Sequence, residues 1–212
     1  MTADDLRHRV ARRVGYFAAG LFVLCVVAFL SVGIRTALRA RRLREDICKL
    51  QLGASTFDEV SRIFPRYTGY VGSHDAIPPS CSSEGCYYLL YVENPILRVI
   101  PIFPRTAFFA TVRISGNALE DRSVGIEQGR GQHYREAFVH QGANSHFKED
   151  TRIIDEMPRK GASVSFENSA RFVQLAREMQ LACLVLPGIW SELDDMLPYL
   201  KGKRRIRGAD GR

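Results

Sequence analysis

The sequence predicts an α+β protein carried on one N-terminal membrane helix. Three observations support that reading. Val14 to Ile34 is an apolar run without a charge, bracketed by Arg12 and Arg13 before it and by Arg35 and Arg39 after it. Thr106 to Ser115 is rich in β-branched and aromatic residues and meets Gly116-Asn117, a two-residue hairpin signal. Beyond Asn168 the apolar spacing changes, and Phe172, Leu175, Ala176 and Met179 mark one face of a helix.

The apolar run comes first in the chain. At about 1.5 Å of rise per residue it covers about 30 Å, the hydrocarbon thickness of a bilayer. Lipid offers backbone N–H and C=O groups no partner, so the segment must be helical. It is longer than the apolar core of a signal peptide, and an arginine-rich stretch follows it instead of a small-residue cleavage site. A retained single-pass anchor is therefore expected. Cys25, in the middle of the run, is not placed as a lipidation site.

No helix breaker stands between Ile34 and Leu52, so residues 35–52 are expected to continue the helix as a basic juxtamembrane stalk. Arg35, Arg39 and Arg42 fall on one face. Together with Arg41 and Arg44 they are expected to meet anionic lipid headgroups, each Lys or Arg near such a surface contributing about 1 kcal/mol. Gly53 ends this helix. A second one is expected over residues 54–64, with Ser55 as N-cap, acidic Asp58 and Glu59 in its first turn, and Phe57, Val60 and Phe64 as its apolar stripe; Pro65 stops it.

Residues 66–85 read as a loop. Cys86 to Val92 is continuously apolar and aromatic and reads as a strand buried on both faces. The prolines at 95, 101 and 104 cannot donate to a ladder, so 95–105 is expected as an edge or an irregular crossing. The hairpin at Gly116-Asn117 then sets Arg113 opposite Glu120, and Phe109 opposite Val124. Further strands are expected at Tyr134–His140 and Ala162–Glu167. Asn168 or Ser169 caps the amphipathic helix, and Trp190, Leu193 and Leu197 outline a short last one. The expected organisation is a basic flank over 1–13, a membrane helix over 14–34, the basic helix over 35–52, an α+β domain over 53–200 with a mostly antiparallel sheet and flanking helices, and a disordered basic tail over 201–212.

The net charge of +7 does not point to nucleic acid. Residues 1–13 carry +2, residues 35–44 carry +5 and residues 201–212 carry +5, which leaves −5 for residues 45–200. The folded domain is mildly acidic and has no electrostatic footprint for DNA or RNA. The charge count beside the anchor leans towards a cytoplasmic domain: four arginines precede it, and Arg35, Arg39, Arg41, Arg42, Arg44 and Lys49 follow it. The cysteines lean the other way. Cys81 and Cys86 bracket Ser-Ser-Glu-Gly just before a strand, a spacing that suits a small disulfide loop in an oxidising compartment. An extracytoplasmic domain is the expectation adopted.

Chemistry-bearing motifs are sparse. His8, His74, His133, His140 and His146 form no zinc spacing, no G-x-S-x-G elbow exists, and no cofactor motif is present. Gly125-Ile-Glu-Gln-Gly-Arg-Gly131 lacks the Gly-Lys-Ser/Thr ending of a phosphate loop and reads as a turn. Leu50-Gln-Leu-Gly-Ala-Ser-Thr-Phe-Asp-Glu-Val60 resembles the opening of the small envelope lipoprotein domains of the outer-membrane assembly type, where such a stretch starts a short helix before a small sheet. The resemblance ends within those residues: no lipobox is present, and Phe64-Pro65 replaces the usual Leu-Gly. The functional expectation is a membrane-tethered, non-catalytic interaction domain of the bacterial envelope, in contact with the bilayer, anionic headgroups and an unidentified protein partner. The alternative is a membrane-bound, hydrolase-like enzyme whose site converges His133, His140 and acidic residues.

Overall fold

A computed structural model describes the chain except for residues 1–2, 68–79, 83–84, 101–102, 131–132, 143–148, 157–158, 167, 187–195 and 200–212. The fold is α+β, with a long N-terminal apolar helix and a seven-stranded mixed sheet. Helix α1 runs unbroken over Ala3–Lys49. Helix α2 covers Phe57–Ile63, α3 Pro95–Val99 and α4 Ser169–Glu178. The strands are β1 Ser80–Ser82, β2 Gly85–Glu93, β3 Arg105–Ser115, β4 Ala118–Arg130, β5 His133–Gly142, β6 Glu149–Glu156 and β7 Arg159–Phe166. Their order is β1-β2-β3-β4-β5-β7-β6, antiparallel throughout except for the β5–β7 pair. One helix is long and apolar enough to span a membrane, near the N-terminus.

The core lies on one face of the sheet. Tyr88, Leu90 and Val92 of β2, Phe108, Ala110, Val112 and Ile114 of β3, Val124 and Ile126 of β4, Ala137 and Val139 of β5, and Ala162, Val164 and Phe166 of β7 cluster with the buried side chains of α1, α2 and α4. The stretch read as a stalk is part of that core. Thr36, Ala40, Leu43 and Ile47 form a buried stripe down α1, continued by Leu50 just past its end, while the arginines, Leu38 and Lys49 between them face outwards or sideways. Leu43 and Ile47 are 0 % exposed, which is worth about 2 kcal/mol for each side chain. The domain therefore begins inside the long helix instead of at Gly53.

Arginines fasten the helix ends. Arg122, on β4, is 1 % exposed and points into the core. Its guanidinium donates to the carbonyls of Ile47 (2.8 Å), Cys48 (3.2 Å) and Leu50, the orphan acceptors at the C-terminus of α1. It also donates to Gln141 Oε1 (2.8 Å) and Ser169 Oγ (2.9 Å), and it lies 4.4 Å over the Phe172 ring. Burial lowers its pKa to about 10, so it stays charged at neutral pH. Arg44, on α1, performs the converse service and donates to the carbonyls of Ala176, Arg177 and Met179 at the end of α4. The ends of two helices are thus fixed by cations on backbone oxygens.

Several expectations need correction. The N-cap of α2 is Thr56, whose N–H donates to Glu59 Oε2 at 3.3 Å in a capping box; Ser55 Oγ instead accepts from the Gln51 N–H. The hairpin forms, with φ of 55° at Gly116 and 67° at Asn117, a two-residue turn with both residues left-handed. A register shift between Arg113 and Ile114 sets Arg113 opposite Asp121 and Phe109 opposite Gly125, not Glu120 and Val124. Glu120 is the extra residue of that bulge, yet its carboxylate still reaches Arg113 Nε at 2.9 Å. The Gly125 stretch read as a turn lies within β4 up to Arg130. Pro95 opens the helix α3 at its first position, with Asn94 as the N-cap. Strand β6 went unforeseen because its Glu, Asp and Arg residues hide the pattern. The helix expected around Trp190 and Leu193 and the tail over 201–212 lie outside the described residues.

Candidate binding face

Strand β2 is not buried on both sides. Its odd-numbered residues lie on the second face of the sheet, where Tyr87 is 42 % exposed. The buried side chains of α1, α2 and α4 all join the first-face cluster, so none of these three helices packs on the second face, whereas buried Leu97 of α3 and buried Ala107 and Phe109 of β3 lie outside that cluster. Strand register aligns its side chains in rows across the sheet.

The central row runs Tyr91, Phe109, Gly125, Phe138 across β2, β3, β4 and β5. The Tyr91 and Phe109 rings are 6.1 Å apart and those of Phe109 and Phe138 6.5 Å apart, both tilted. Gly125 is what lets them close up. A Cβ there would sit 2.7 Å from Phe138 Cβ and would run into the Phe109 ring. The result is an aromatic band, with Tyr91 and Phe138 half-buried.

One step along the strands lies an acidic row of Glu93, Ala107, Glu127 and Glu136. Burial, and next the neighbouring Glu127, raises the pKa of Glu136. Burial also raises that of Glu93, against the pull of Arg98 and Arg105. On the other side of the band is a hydroxyl and imidazole row. Thr111 Oγ1 and Ser123 Oγ are 2.6 Å apart, and His140, directly opposite Ser123, places Nε2 2.8 Å from Asp121 Oδ1. Burial pushes the Tyr87 and Tyr91 phenols above their ordinary range, so both remain neutral donors.

Ser123 is buried and its hydroxyl is bonded to Thr111, so it is not presented as a nucleophile. The His133 side chain lies outside the described residues. Among the described residues no group of three or more His, Cys, Asp or Glu is placed to hold a metal ion. Elsewhere, an open groove between the end of α1 and α4 is lined by Cys48, Leu50, Ser169, Val173 and Arg177. Burial raises the pKa of Cys48, which leaves it a protonated, poorly reactive thiol.

Cys86 is disulfide-bonded, and the β1–β2 register sets Cys81 directly opposite it. Cys25, Cys48 and Cys183 are free. Of the five arginines expected at headgroups, Arg35, Arg41 and Arg42 are exposed. Arg39 donates to the Arg66 carbonyl at 3.0 Å, Arg41 pairs with Glu45 at 2.9 Å, and Arg44 is engaged with α4. The aromatic band escaped the sequence reading, although a signal for it existed: aromatic residues at odd positions of β2 and β3 opposite a strand glycine. No protein-family model matches the chain, and no curated protein or solved structure matches it either.

Proposed function

We propose that this chain is a membrane-tethered, non-catalytic binding module of the bacterial envelope, with its sheet domain on the extracytoplasmic side. The partner is a protein that docks on the second face of the sheet. The observation that carries the reading is the Tyr91–Phe109–Phe138 band on the face that α1, α2 and α4 leave uncovered. Aromatic side chains at a surface, here the exposed Tyr87 and the half-buried Tyr91 and Phe138 around a buried Phe109, deliver large contact area at low entropic cost and dominate interface energetics. The acidic row beside the band supplies charge selectivity towards a basic partner surface.

Tethering follows from the apolar helix, and its continuity adds a direction. Because α1 lies along the first face of the sheet, the second face looks sideways, roughly parallel to the membrane plane. A partner held in the same membrane meets it without reorientation. Arg35 and Arg42 are free to meet anionic headgroups. A bridge between Cys81 and Cys86 supports the extracytoplasmic side, because such bonds persist in oxidising compartments.

Two experiments test this. A topology reporter fused after residue 200 should be active outside the cytoplasm, and activity in the cytoplasm rejects the side. A photoreactive residue at Tyr87 or Tyr91 should give one defined adduct in native membranes, which Phe138→Asp abolishes. Absence of adducts from this face, with adducts from Lys49 instead, rejects the docking surface. The hydrolase alternative rests on the His140–Asp121 pair, and ester hydrolysis abolished by His140→Ala in the purified chain would favour it over binding.

A further inference from the structure

The domain grips α1 earlier than a surface-perched domain should. From Arg12 to Ala28 every side chain of the helix is exposed. Phe29 is the first to be covered, and its ring lies 6.0 Å from that of Phe103. Four residues on, Gly33 is buried because the chain after α4 lies against it: a Cβ on Gly33 would be 2.9 Å from Val185 Cα and 3.3 Å from the Val185 carbonyl oxygen. Phe29 and Gly33 both belong to the uncharged run, which ends only at Arg35.

Lengths turn this into a statement of depth. The protein-free apolar part, Val14 to Ala28, covers about 22 Å at 1.5 Å per residue, whereas a bilayer hydrocarbon core is about 30 Å thick. The whole run to Ile34 matches that thickness. A bilayer fitted to the run therefore extends about 8 Å past Ala28, beyond Phe103 at Phe29 and up to Val185 at Gly33, just inside its boundary, and leaving this stretch in water would expose the bilayer to a mismatch of that size.

The described residues adjoining Phe103 and Val185 in the chain are suited to lipid. Val99 is 79 % exposed and Leu186 40 % exposed, in a chain whose other large exposed apolar residues lie mostly on the free part of α1. Six of the described backbone donors there are bonded internally. Ile96 N–H donates to Asn94 Oδ1, Arg98 N–H to the Asn94 carbonyl, Ile100 N–H to that of Ile96 and Phe103 N–H to that of Ile100. Val185 and Leu186 both donate to the Ala182 carbonyl. Pro95, Pro101 and Pro104 have no N–H to lose. Asn94, 0 % exposed, ties the two segments together through Nδ2 to the Leu184 carbonyl at 2.8 Å. Arg98 and Arg105 lie exposed on either side of the apolar stretch, where long cationic side chains can reach headgroups.

We propose that Val99, Ile100, Phe103, Val185 and Leu186 form a membrane-inserted rim, through which the sheet domain is seated in the boundary layer of phospholipid acyl chains. The rim rests on the reading of α1 as a membrane helix. It fixes the height and rotation of the domain, so the second face of the sheet is presented at one distance above the bilayer. Apolar side chains entering the outer 5–10 Å of a leaflet are the general form of such seating.

Nitroxide depth measurements test it on the full chain, carrying Cys25→Ala and Cys48→Ala, in phosphatidylcholine vesicles. Labels go on Val99→Cys, Leu186→Cys, the mid-run Phe22→Cys and, as the aqueous reference, Lys49→Cys. Collision with oxygen relative to a water-soluble nickel complex should be several-fold higher at positions 22, 99 and 186 than at 49. If position 22 reports lipid while 99 and 186 match 49, the rim is overturned and the anchor stands. If position 22 also matches 49, the anchor reading itself fails, and the rim with it. If 99 and 186 are shielded from both reagents, protein covers them, a second copy or a partner, and the rim is likewise overturned.

Discussion

The Arg122 guanidinium donates to the Ile47 carbonyl at 2.8 Å, so a cation rooted in the middle of the sheet closes the end of the helix that carries the apolar run. Among the described residues, no carboxylate is a hydrogen-bond partner of this buried charge. Helix-end carbonyls, an amide oxygen, a hydroxyl and an aromatic face share the load. An arginine is needed, because only its planar fork reaches acceptors on three elements at once.

Arg122→Met, which keeps much of the volume, should cost about 3 kcal/mol, since several buried acceptors lose their donor at about 1–3 kcal/mol each. Arg122→Lys should recover part of that loss. Urea unfolding of the detergent-solubilised chain measures both. A methionine variant as stable as the parent would mean that the cap contributes nothing to stability.

Glu136→Gln should stabilise the domain at pH 7 by about 0.5 kcal/mol, the scale of a like-charge cross-strand pair. The sign follows from its raised folded pKa. Below the ordinary carboxylate range the group is protonated both folded and unfolded, and no penalty exists. As pH rises through the folded value, the folded chain loses a proton it had held in preference, and stability falls. The gain from glutamine should therefore vanish below about pH 4. A gain independent of pH would assign it to packing.

Gly33→Leu should lower the thermal midpoint of the domain, although residue 33 lies in the apolar run, because the Val185 backbone occupies the space its side chain needs. Gly20→Leu, with nothing within 4 Å, should leave the midpoint unchanged. Equal effects at the two positions would separate the domain from the end of the run.

Gly125→Ala should destabilise by about 1–3 kcal/mol through overpacking, as its methyl group meets the Phe109 ring and Phe138 Cβ. Adding Phe109→Leu should restore part of the loss, and a double-mutant cycle in equilibrium unfolding reads that coupling. Strictly additive losses would mean that the glycine does not serve the aromatic band.

The sequence by itself determined the elements whose signals are local. An uncharged run long enough to span a bilayer, a Gly-Asn turn that requires two positive φ angles, and an Asn-capped amphipathic helix each depend on neighbours a few residues away. Asn168 does accept the Ala170 and Arg171 N–H groups that open α4. The role of residues 36–50 was only half legible: the apolar stripe was there at helical spacing, but the arginines between its members read as a stalk. Tertiary structure decided what depends on contacts between distant segments. The extra residue at Glu120 shifted the pairing beyond Arg113 and turned Phe109 towards Gly125. The edge strand β6 follows β7, not its own pattern, because an edge needs only one partner and tolerates charge. Which sheet face received the helices, and hence which aromatic side chains stayed open, was fixed when Leu43 and Ile47 packed on one side and Arg122 locked the helix end there. Periodicity can say that a strand has two faces; only packing chooses the one that is covered.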